Sequence, residues 1–289
     1  MLLSSVAAAQ HYIGVSANLQ SPRHFDNLDI TTAKAGIGGG GELLYAFRRG
    51  YFLLNAGVGF EGGRTRVALG DETLQADMVD TRGLQFTYNG NLRKRVDAAT
   101  SMNIMVPLRV GFEVERFYML AGVDFVARVG GTSRQTAELR TEGDYNGRYY
   151  SVLTDMPNHG YHEYEQQSTS GSVSLKPDLR FVAELGLAWE LEKARTRLKP
   201  ILRVGVFVGV GMLNVLDSGD AALTELDLQQ YMRVRMNHVY SAAAAEGKRV
   251  GNLTFGLRVA YLIPVGGRKV SSHPSGWIRP SERVKCYCP

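Results

Sequence analysis

The chain has 289 residues, of which 44% are hydrophobic, and its mean hydropathy is −0.15. No stretch approaches the roughly 20 apolar residues that a membrane-spanning helix needs, which excludes helical spans but not strands that alternate lipid-facing and inward-facing residues. The 33 basic and 28 acidic residues are interspersed. The net charge of +5 therefore lacks the basic block expected of a nucleic-acid-binding protein.

The N-terminal segment is apolar and ends in small residues. Residues 1–9 read Met-Leu-Leu-Ser-Ser-Val-Ala-Ala-Ala and are followed by Gln10. An apolar run that leads into small residues is typical of the end of a secretory signal peptide, although no charged segment precedes this one. We therefore predict a signal-peptide remnant over residues 1–9, with a frayed apolar terminus as the alternative.

Between residues 10 and 265 the dominant pattern is an apolar residue at every second position. Two weaker segments come first, at Tyr12–Leu19 and Ala35–Arg48. Six stronger segments follow, at Tyr51–Glu61, Asn103–Val114, Phe117–Val129, Leu179–Leu191, Leu202–Met212 and Leu253–Ile263. Alternation over roughly 10 to 16 residues predicts strands with one apolar and one polar face, of the length that tilted barrel strands have.

The connections between these strands alternate in length. Short turns are predicted at Arg49–Gly50, at Glu115–Arg116 and around residues 193–196, whereas the other connections are long. This asymmetry is typical of outer-membrane proteins. It predicts an all-β fold, an eight-stranded antiparallel up-and-down transmembrane β-barrel with long extracellular loops and short periplasmic turns. A soluble β-sandwich or a lipocalin-like barrel, whose polar face meets water, is the alternative.

The polar face of the predicted strands mixes glycine with single charged residues. A barrel of eight strands is filled by its own side chains, so charges that point inward must be paired or hydrated. We predict a lumen charge network made by Glu42, Glu61, Arg109, Asp124, Arg180, Glu184, Arg203 and Arg258. Aromatic residues collect near the short turns, as expected for a membrane-interface girdle.

The strand pair Asn103–Phe112 and Phe117–Asp124 carries a resemblance to a known group. Its residues Ile-Met-Val-Pro-Leu, followed by Phe117-Tyr118-Met119-Leu120-Ala121-Gly122, are similar to a hairpin of PorT-like small barrels. The pattern over residues 11–265 resembles the outer-membrane β-barrel superfamily of OmpA and OmpX transmembrane domains. The resemblance implies a barrel located in the bacterial cell outer membrane. Because few residues follow Val265, we expect no peptidoglycan-binding domain of the kind that OmpA has.

Two of the long loops have distinctive compositions. The loop predicted at residues 130–175 is rich in tyrosine, which suits an outer-loop binding site for proteins or glycans. The candidate binding residues are Tyr145, Tyr149, Tyr150, Tyr161 and Tyr164. A mobile loop with its own small cluster of side chains is the alternative. The loop at residues 214–248 contains many helix formers between Ala221 and Glu246, which predicts a helix that lies over the barrel mouth or against a partner.

Catalytic and metal-binding motifs are scarce in the sequence. There is no G-x-S-x-G, H-E-x-x-H or Walker motif, and Gly36–Gly41 lacks the Lys-Ser/Thr ending of a phosphate loop. His159 and His162 have no evident second pair of ligands, and Cys286 and Cys288 have no partner cluster. We therefore predict no catalytic residues, no metal site and no cofactor, and a protein that is not an enzyme.

The function predicted from these features is a structural or accessory component of an outer-membrane assembly, of the secretion or insertion type. A surface adhesin that uses the tyrosine-rich loops is the alternative, and a narrow pore or a barrel hydrolase ranks below both. The expected partners are outer-membrane lipid and proteins, which would contact either the outer loops or the periplasmic tail predicted at residues 266–289. No binding to nucleic acid is expected. The barrel itself is predicted over residues 10–265.

Overall fold

A computed structural model gives the fold of residues 9–26, 31–80, 82–151, 161, 163–172, 175–191, 199–215, 223–227, 233–240, 243 and 250–265. Several predicted features lie outside the described residues: residues 1–8 of the signal-peptide remnant, the turn at residues 193–196, the tail with its two cysteines, His159 and His162. Among the described residues, no helix is long and apolar enough to cross a bilayer.

The described elements are almost all strands. They are β1 (Gln10–Asp26), β2 (Thr31–Arg49), β3 (Phe52–Leu69), β4 (Glu72–Val79), β5 (Gln85–Val114), β6 (Phe117–Tyr145), β7 (Arg148–Tyr150), β8 (Glu165–Ser172), β9 (Asp178–Glu190), β10 (Ile201–Gly211), β11 (Thr224–Asp227), β12 (Arg233–Met236) and β13 (Val250–Val265).

Eight of these strands form a closed antiparallel ring. Its order is β1-β2-β3-β5-β6-β9-β10-β13, and β13 pairs back onto β1 through a ladder from His11 opposite Val265 to Asp26 opposite Val250. Each ring strand pairs with the ring strand before it in the sequence, which confirms the predicted all-β, up-and-down antiparallel order. Closure leaves no free edge in the ring, because the first strand pairs with the last.

The period-two pattern of the sequence decides which side chains point into the ring. On β5, the seven alternate residues from Met102 to Val114 are exposed on the outer face, while Asn103, Arg109 and Glu113 are buried inside. The same alternation holds on β10, where Val204, Val206, Val208 and Val210 face outward. The apolar face therefore points out of the ring and the polar face points in, the reverse of a soluble sheet protein.

Much of the long connection after the third predicted strand, at residues 68–100, and of the loop predicted at residues 130–175 is strand, which corrects the prediction of loops there. β5 and β6 run for 30 and 29 residues and stay paired from Val114–Phe117 up to Thr87–Asp144. β4 adds to β5 and β8 adds to β6 beyond the ring. We call this part the extension; it comprises β4, β7 and β8 with residues 85–101 of β5 and 130–145 of β6.

The helix predicted between Ala221 and Glu246 is wrong for most of its described residues. β11 and β12 form a hairpin there, and only Val239, Tyr240 and Ala243 are helical among those described. Met236 packs against Leu92, Ala137 and Leu139 of the extension, so tertiary contacts override the local helix propensity. We call the described residues 223–243 the cap, because they pack inside the end of the ring opposite the short turns.

Candidate functional site

All eight residues of the predicted lumen charge network lie inside the ring and are buried. Their exposed fractions are between 0% and 5%. They come from seven of the eight ring strands, and β1 adds Ser16 and Gln20, which donate hydrogen bonds to Glu42 and Glu61. Charged side chains from six of these seven strands meet in one interior layer, while Arg203 of β10 pairs with Glu113 nearer the short turns.

Arg109 is at the centre of this layer. Its Nη2 lies 2.8 Å from Oδ1 of Asp124 and 3.2 Å from Oε1 of Glu42. Arg258 approaches the same Glu42 oxygen at 2.9 Å and also pairs with Glu184. Each of these arginines bridges two carboxylates, so Glu42, Asp124 and Glu184 all have a compensating charge.

Arg180 joins the other side of the ring to this centre. Its two terminal nitrogens each lie 3.0 Å from an oxygen of Glu61, in a bidentate pair, and Nη2 also lies 3.1 Å from Asp124. Glu61 accepts a further hydrogen bond from Asn103 at 3.1 Å. Glu61 on β3 and Arg180 on β9 are not neighbours in the ring, so this pair braces strands that share no backbone hydrogen bonds.

A second ion-pair group near the short turns includes residues that the sequence analysis did not name for the network. Arg203 pairs with Glu113 at 2.9 Å, and Glu113 also pairs with Arg48 at 3.0 Å. Tyr118 donates a 2.7 Å hydrogen bond to Glu184 and lies under the Arg203 guanidinium, 5.2 Å from ring centroid to Cζ. Glu113 and Tyr118 lie on the polar face of the alternating pattern, and this position is the sequence signal that could have predicted their place inside the ring.

The interior glycines make room for these large side chains. A Cβ on Gly209 would lie 2.9 Å from Cδ of Arg180, and a Cβ on Gly186 would lie 2.8 Å from the Tyr118 ring. A side chain at either position would have to displace a buried group that is already hydrogen-bonded. Glycine on the polar face is therefore explained by crowding inside the ring.

The two ends of the interior are closed by apolar packing. Near the short turns, Tyr12, Leu53, Leu120, Ile201 and Leu262 belong to one buried cluster. At the other end, the cap residues Val239, Tyr240 and Ala243 pack on Val67 and Leu69 of β3, among others. Among the described residues the charge layer therefore lies between two apolar layers.

The outer face of the ring carries a continuous belt of exposed apolar residues. Within the described ring strands its members include Ile13, Val15, Leu19, Ile37, Leu43, Val58, Phe60, Met102, Ile104, Val106, Leu108, Val110, Met119, Phe125, Val129, Phe181, Leu185, Val204, Val206, Val208, Val210, Phe255, Leu257, Val259 and Ile263. The exposed rings of Tyr45, Phe52, Phe112 and Phe117 lie at its short-turn edge. We call this surface the apolar belt.

Three of the five predicted binding tyrosines pack into the extension. Tyr161 is buried in a cluster with Phe86 and Tyr88, and Tyr145 stacks on Phe86 with 4.8 Å between ring centroids. Tyr150 packs against the same cluster, while Tyr149 and Tyr164 remain exposed. The alternative of mutual packing therefore applies to Tyr145, Tyr150 and Tyr161, and two tyrosines are left at the surface.

Metal ligands do not converge anywhere in the part of the chain that the structure describes: it contains no group of three or more His, Cys, Asp or Glu side chains suited to a metal ion. The carboxylates of the charge network are bound by arginine side chains.

Asp97 holds the cap to β5. Its Oδ2 accepts a 2.7 Å hydrogen bond from the backbone N–H of Val239, and His238 lies close enough to interact with its charge. Burial raises the pKa of the Asp97 carboxyl and lowers the pKa of His238. An acid whose pKa is higher in the folded than in the unfolded chain destabilises the fold when it ionises. The free energy of unfolding therefore falls as the pH rises from the unfolded-state pKa of Asp97 to its higher folded-state pKa.

We expect Asp97→Asn to strengthen docking of the cap at neutral pH, because asparagine keeps the acceptor for Val239 without a buried charge. The gain should disappear below about pH 4, where the aspartate is protonated in both states. Hydrogen exchange at the Val239 amide measures it, and Asp77→Asn on the exposed face of β4 is the matched control. His238 is present in both proteins, so their difference isolates Asp97. A difference that stays constant with pH would contradict this assignment.

Comparisons with known proteins give no family. No family model matches the sequence, and no curated protein matches it. Among solved structures, the chain is similar to Ail, the attachment invasion locus protein of Yersinia pestis, crystallised with the heparin analogue sucrose octasulfate; the identity is 10%, the TM-score 0.26, and 88% of this chain and 99% of Ail are covered. For OpdQ of Pseudomonas aeruginosa the values are 7%, 0.10, 88% and 98%. At these TM-scores neither similarity carries an argument about this chain.

Proposed function

We propose that the protein is a non-catalytic outer-membrane β-barrel that holds a folded binding platform, the extension, outside the cell. The observation that carries this proposal is the apolar belt. A closed ring that buries its charges and exposes valine, leucine and phenylalanine is unfavourable in water. It is suited to lipid, because exposure of apolar side chains to hydrocarbon has no hydration penalty.

The dimensions of the belt support placement in a bilayer. On β5 it extends from Met102 to Val114. Twelve residue steps correspond to roughly 40 Å along a strand, and to about 30 Å once the strand tilts as barrel strands do. Above Met102 the same outward face becomes polar at Thr100 and Lys94. The aromatic rings at the short-turn edge fit an interface girdle, with the short turns on the periplasmic side.

The extension supports a binding role better than a purely structural one. Two strands of 30 and 29 residues, flanked by β4 and β8, lift an ordered sheet well beyond the belt. Its tip presents Tyr149, and a groove of about 520 Å³ lies between Asp77, Phe86 and Asp144. Exposed tyrosine beside a polar groove suits recognition of a protein or glycan surface.

The alternative predicted from the sequence, an accessory component of a secretion or insertion assembly, stays a prediction. Its expected contact, the tail at residues 266–289, lies outside the described residues. A pull-down of the tagged full-length protein from membranes in mild detergent separates the two roles. A stoichiometric membrane partner supports the assembly role, and recovery of the protein alone supports the binding platform.

The binding role is tested with the full-length protein displayed on bacteria that lack other adhesins. We expect cells displaying it to bind at least one member of a panel of extracellular-matrix proteins and surface glycans. Tyr149→Ser should weaken that binding about tenfold or more, as loss of an exposed aromatic anchor does. Tyr51→Ser is the matched control, because Tyr51 is 70% exposed but lies at the short turns. Binding no stronger than that of empty cells would overturn this role.

We also expect the ring not to conduct ions. The charge network fills its middle, and apolar clusters close both ends. Eight-stranded barrels are just wide enough for side chains to fill. In planar bilayers the purified protein should show no current steps above leak, with a 16-stranded porin as the positive control. Reproducible single-channel currents would contradict a closed interior.

A further inference from the structure

A group of exposed basic side chains lies directly beyond the apolar belt, on the outward face of the ring. Its members are Lys34 on β2, Arg64 and Arg66 on β3, and Arg134 on β6. The strand register places three of them in one row across the sheet: Lys34 is opposite Arg66, Arg66 is opposite Ala98 of β5, and Ala98 is opposite Arg134. Arg64 lies two residues from Arg66 on the same face of β3. We call these four residues the basic patch.

The charges of the basic patch are uncompensated within the described chain. None of the four side chains makes an ion pair with another described residue, and the first outward acid beyond Arg134 on β6 is Glu138, which pairs with Lys94 at 2.9 Å. Like charges directly opposite each other on neighbouring strands destabilise a sheet. Lys34 and Arg66 hold that arrangement, so a bound anion would relieve the repulsion between them.

The surface between the basic side chains is small and hydroxyl-bearing. Ala98 separates Arg66 from Arg134 without a bulky side chain. Beside it, Thr100 and Thr132 are opposite each other, with their hydroxyl oxygens 2.6 Å apart. Guanidinium groups bind phosphate oxygens in bidentate pairs, and hydroxyls add hydrogen bonds to the same oxygens. The patch therefore has the donors for a phosphate monoester.

The position of the patch decides between a soluble anion and a lipid. Arg64 is four residues beyond Phe60, the last large apolar residue of the belt on β3. Four residues span about 13 Å of strand, and about 10 Å along the membrane normal once the strand tilts. That is the depth of lipid headgroups. Arg23 lies at the same boundary on β1, over the Phe255 ring at 5.8 Å.

We infer that the basic patch binds the headgroup phosphates of an anionic glycolipid of the outer leaflet, of the lipid A type. This inference rests on the proposed membrane placement, because only that placement brings the patch to the headgroups. The apolar belt then contacts the acyl chains of the same lipid while the arginines contact its phosphates. The lipid is thereby a specific partner of this face of the ring, and the extension is held upright over it.

The test uses full-length protein folded in neutral detergent micelles and fluorescent lipid A, with binding measured by anisotropy. We expect bisphosphorylated lipid A to bind and dephosphorylated lipid A to bind much more weakly. The double variant Arg66→Gln/Arg134→Gln should bind the phosphorylated form about 30-fold more weakly. Arg49→Gln/Arg116→Gln removes two exposed arginines at the short turns and should bind like the wild type.

Each outcome bears on the inference separately from the proposed function. Equal affinity of both lipid forms, or of both double variants, overturns the inference while leaving the membrane placement intact. Displacement of lipid A from the patch by micromolar heparin oligosaccharide, with tighter binding of heparin alone, assigns the patch to a soluble polyanion and overturns it too. Failure of the wild type to insert into phosphatidylcholine vesicles, judged by gel mobility, overturns the proposed function itself.

Discussion

Replacing Arg109 with methionine is expected to destabilise the folded protein by about 3–5 kcal/mol, because the substitution leaves buried carboxylates without their central partner. Arg109 contacts Asp124 at 2.8 Å and Glu42 at 3.2 Å, and all three side chains are almost fully buried. The four acids of the layer, Glu42, Glu61, Asp124 and Glu184, would then face only Arg180 and Arg258. Unfolding by urea from phosphatidylcholine vesicles, followed by tryptophan fluorescence, measures the loss.

Two further variants make this prediction specific. Arg140→Met removes an arginine whose partner Glu142, at 3.5 Å, is near the surface, and it should cost less than about 1 kcal/mol. Arg109→Met/Asp124→Asn removes one of the stranded carboxylate charges and should recover part of the stability lost in Arg109→Met. An Arg109 variant as stable as the Arg140 variant would mean that the interior is hydrated enough to tolerate unpaired charge.

Val206→Arg is expected to destabilise the inserted protein by about 2–4 kcal/mol, because an arginine near the middle of the apolar belt must enter the hydrocarbon. Val206 is 54% exposed on the outer face of β10, between Val204 and Val208. In water such an exposed valine would tolerate arginine with little effect. The size of the change therefore distinguishes lipid from water outside the ring.

A depth series along the same strand tests the position of the bilayer. Arginine at Val204, Val206, Val208 and Val210 should be most destabilising near the middle of the belt and less so toward its edges. Ser168→Arg, exposed on β8 beyond the belt, is the matched control and should be neutral. A flat series, with all five variants near the wild type, would contradict the membrane assignment of this face.

The ring could be predicted from the sequence because its signal is local. A strand such as Leu202–Met212 is recognised from its own residues alone, because apolar and polar residues alternate with a period of two. In a closed ring every strand has an inner and an outer face, so the same period recurs on each strand. The face assignment agrees with the structure for the same reason: a strand that places Arg203 inward must place Val204 and Val206 outward.

The extension and the cap could not be read in the same way. β8 has the sequence Glu-Gln-Gln-Ser-Thr-Ser-Gly-Ser, with no apolar face, and it is a strand because it pairs with residues 132–139 of β6. Helix formers around Leu226 suggested a helix, but β11 pairs with β12 beside the extension. In both segments the secondary structure is determined by contacts between residues distant in sequence, and local propensity contains no information on such contacts.

The charge network was predictable as a set of residues but not as a set of pairs. Polarity on the inward face marks Glu42, Arg109 and Arg180. That Arg180 reaches Glu61 across the ring depends on strand register and on Gly209, which leaves space for its stem. Glu113 became a partner of both Arg48 and Arg203 only through closure. The burial of Tyr145, Tyr150 and Tyr161 could not be predicted either, since their packing around Phe86 depends on how far β5 and β6 extend.

The most direct test of the central claim, that this ring is a barrel folded in a membrane, is electrophoretic mobility of the full-length protein from washed membranes. The unheated protein should run faster than the boiled protein on a denaturing gel and should resist extraction by alkaline carbonate. A closed, hydrogen-bonded ring resists detergent until it is heated, whereas a soluble sheet protein does not. Identical mobility with and without boiling, together with recovery in the soluble fraction, would contradict the account.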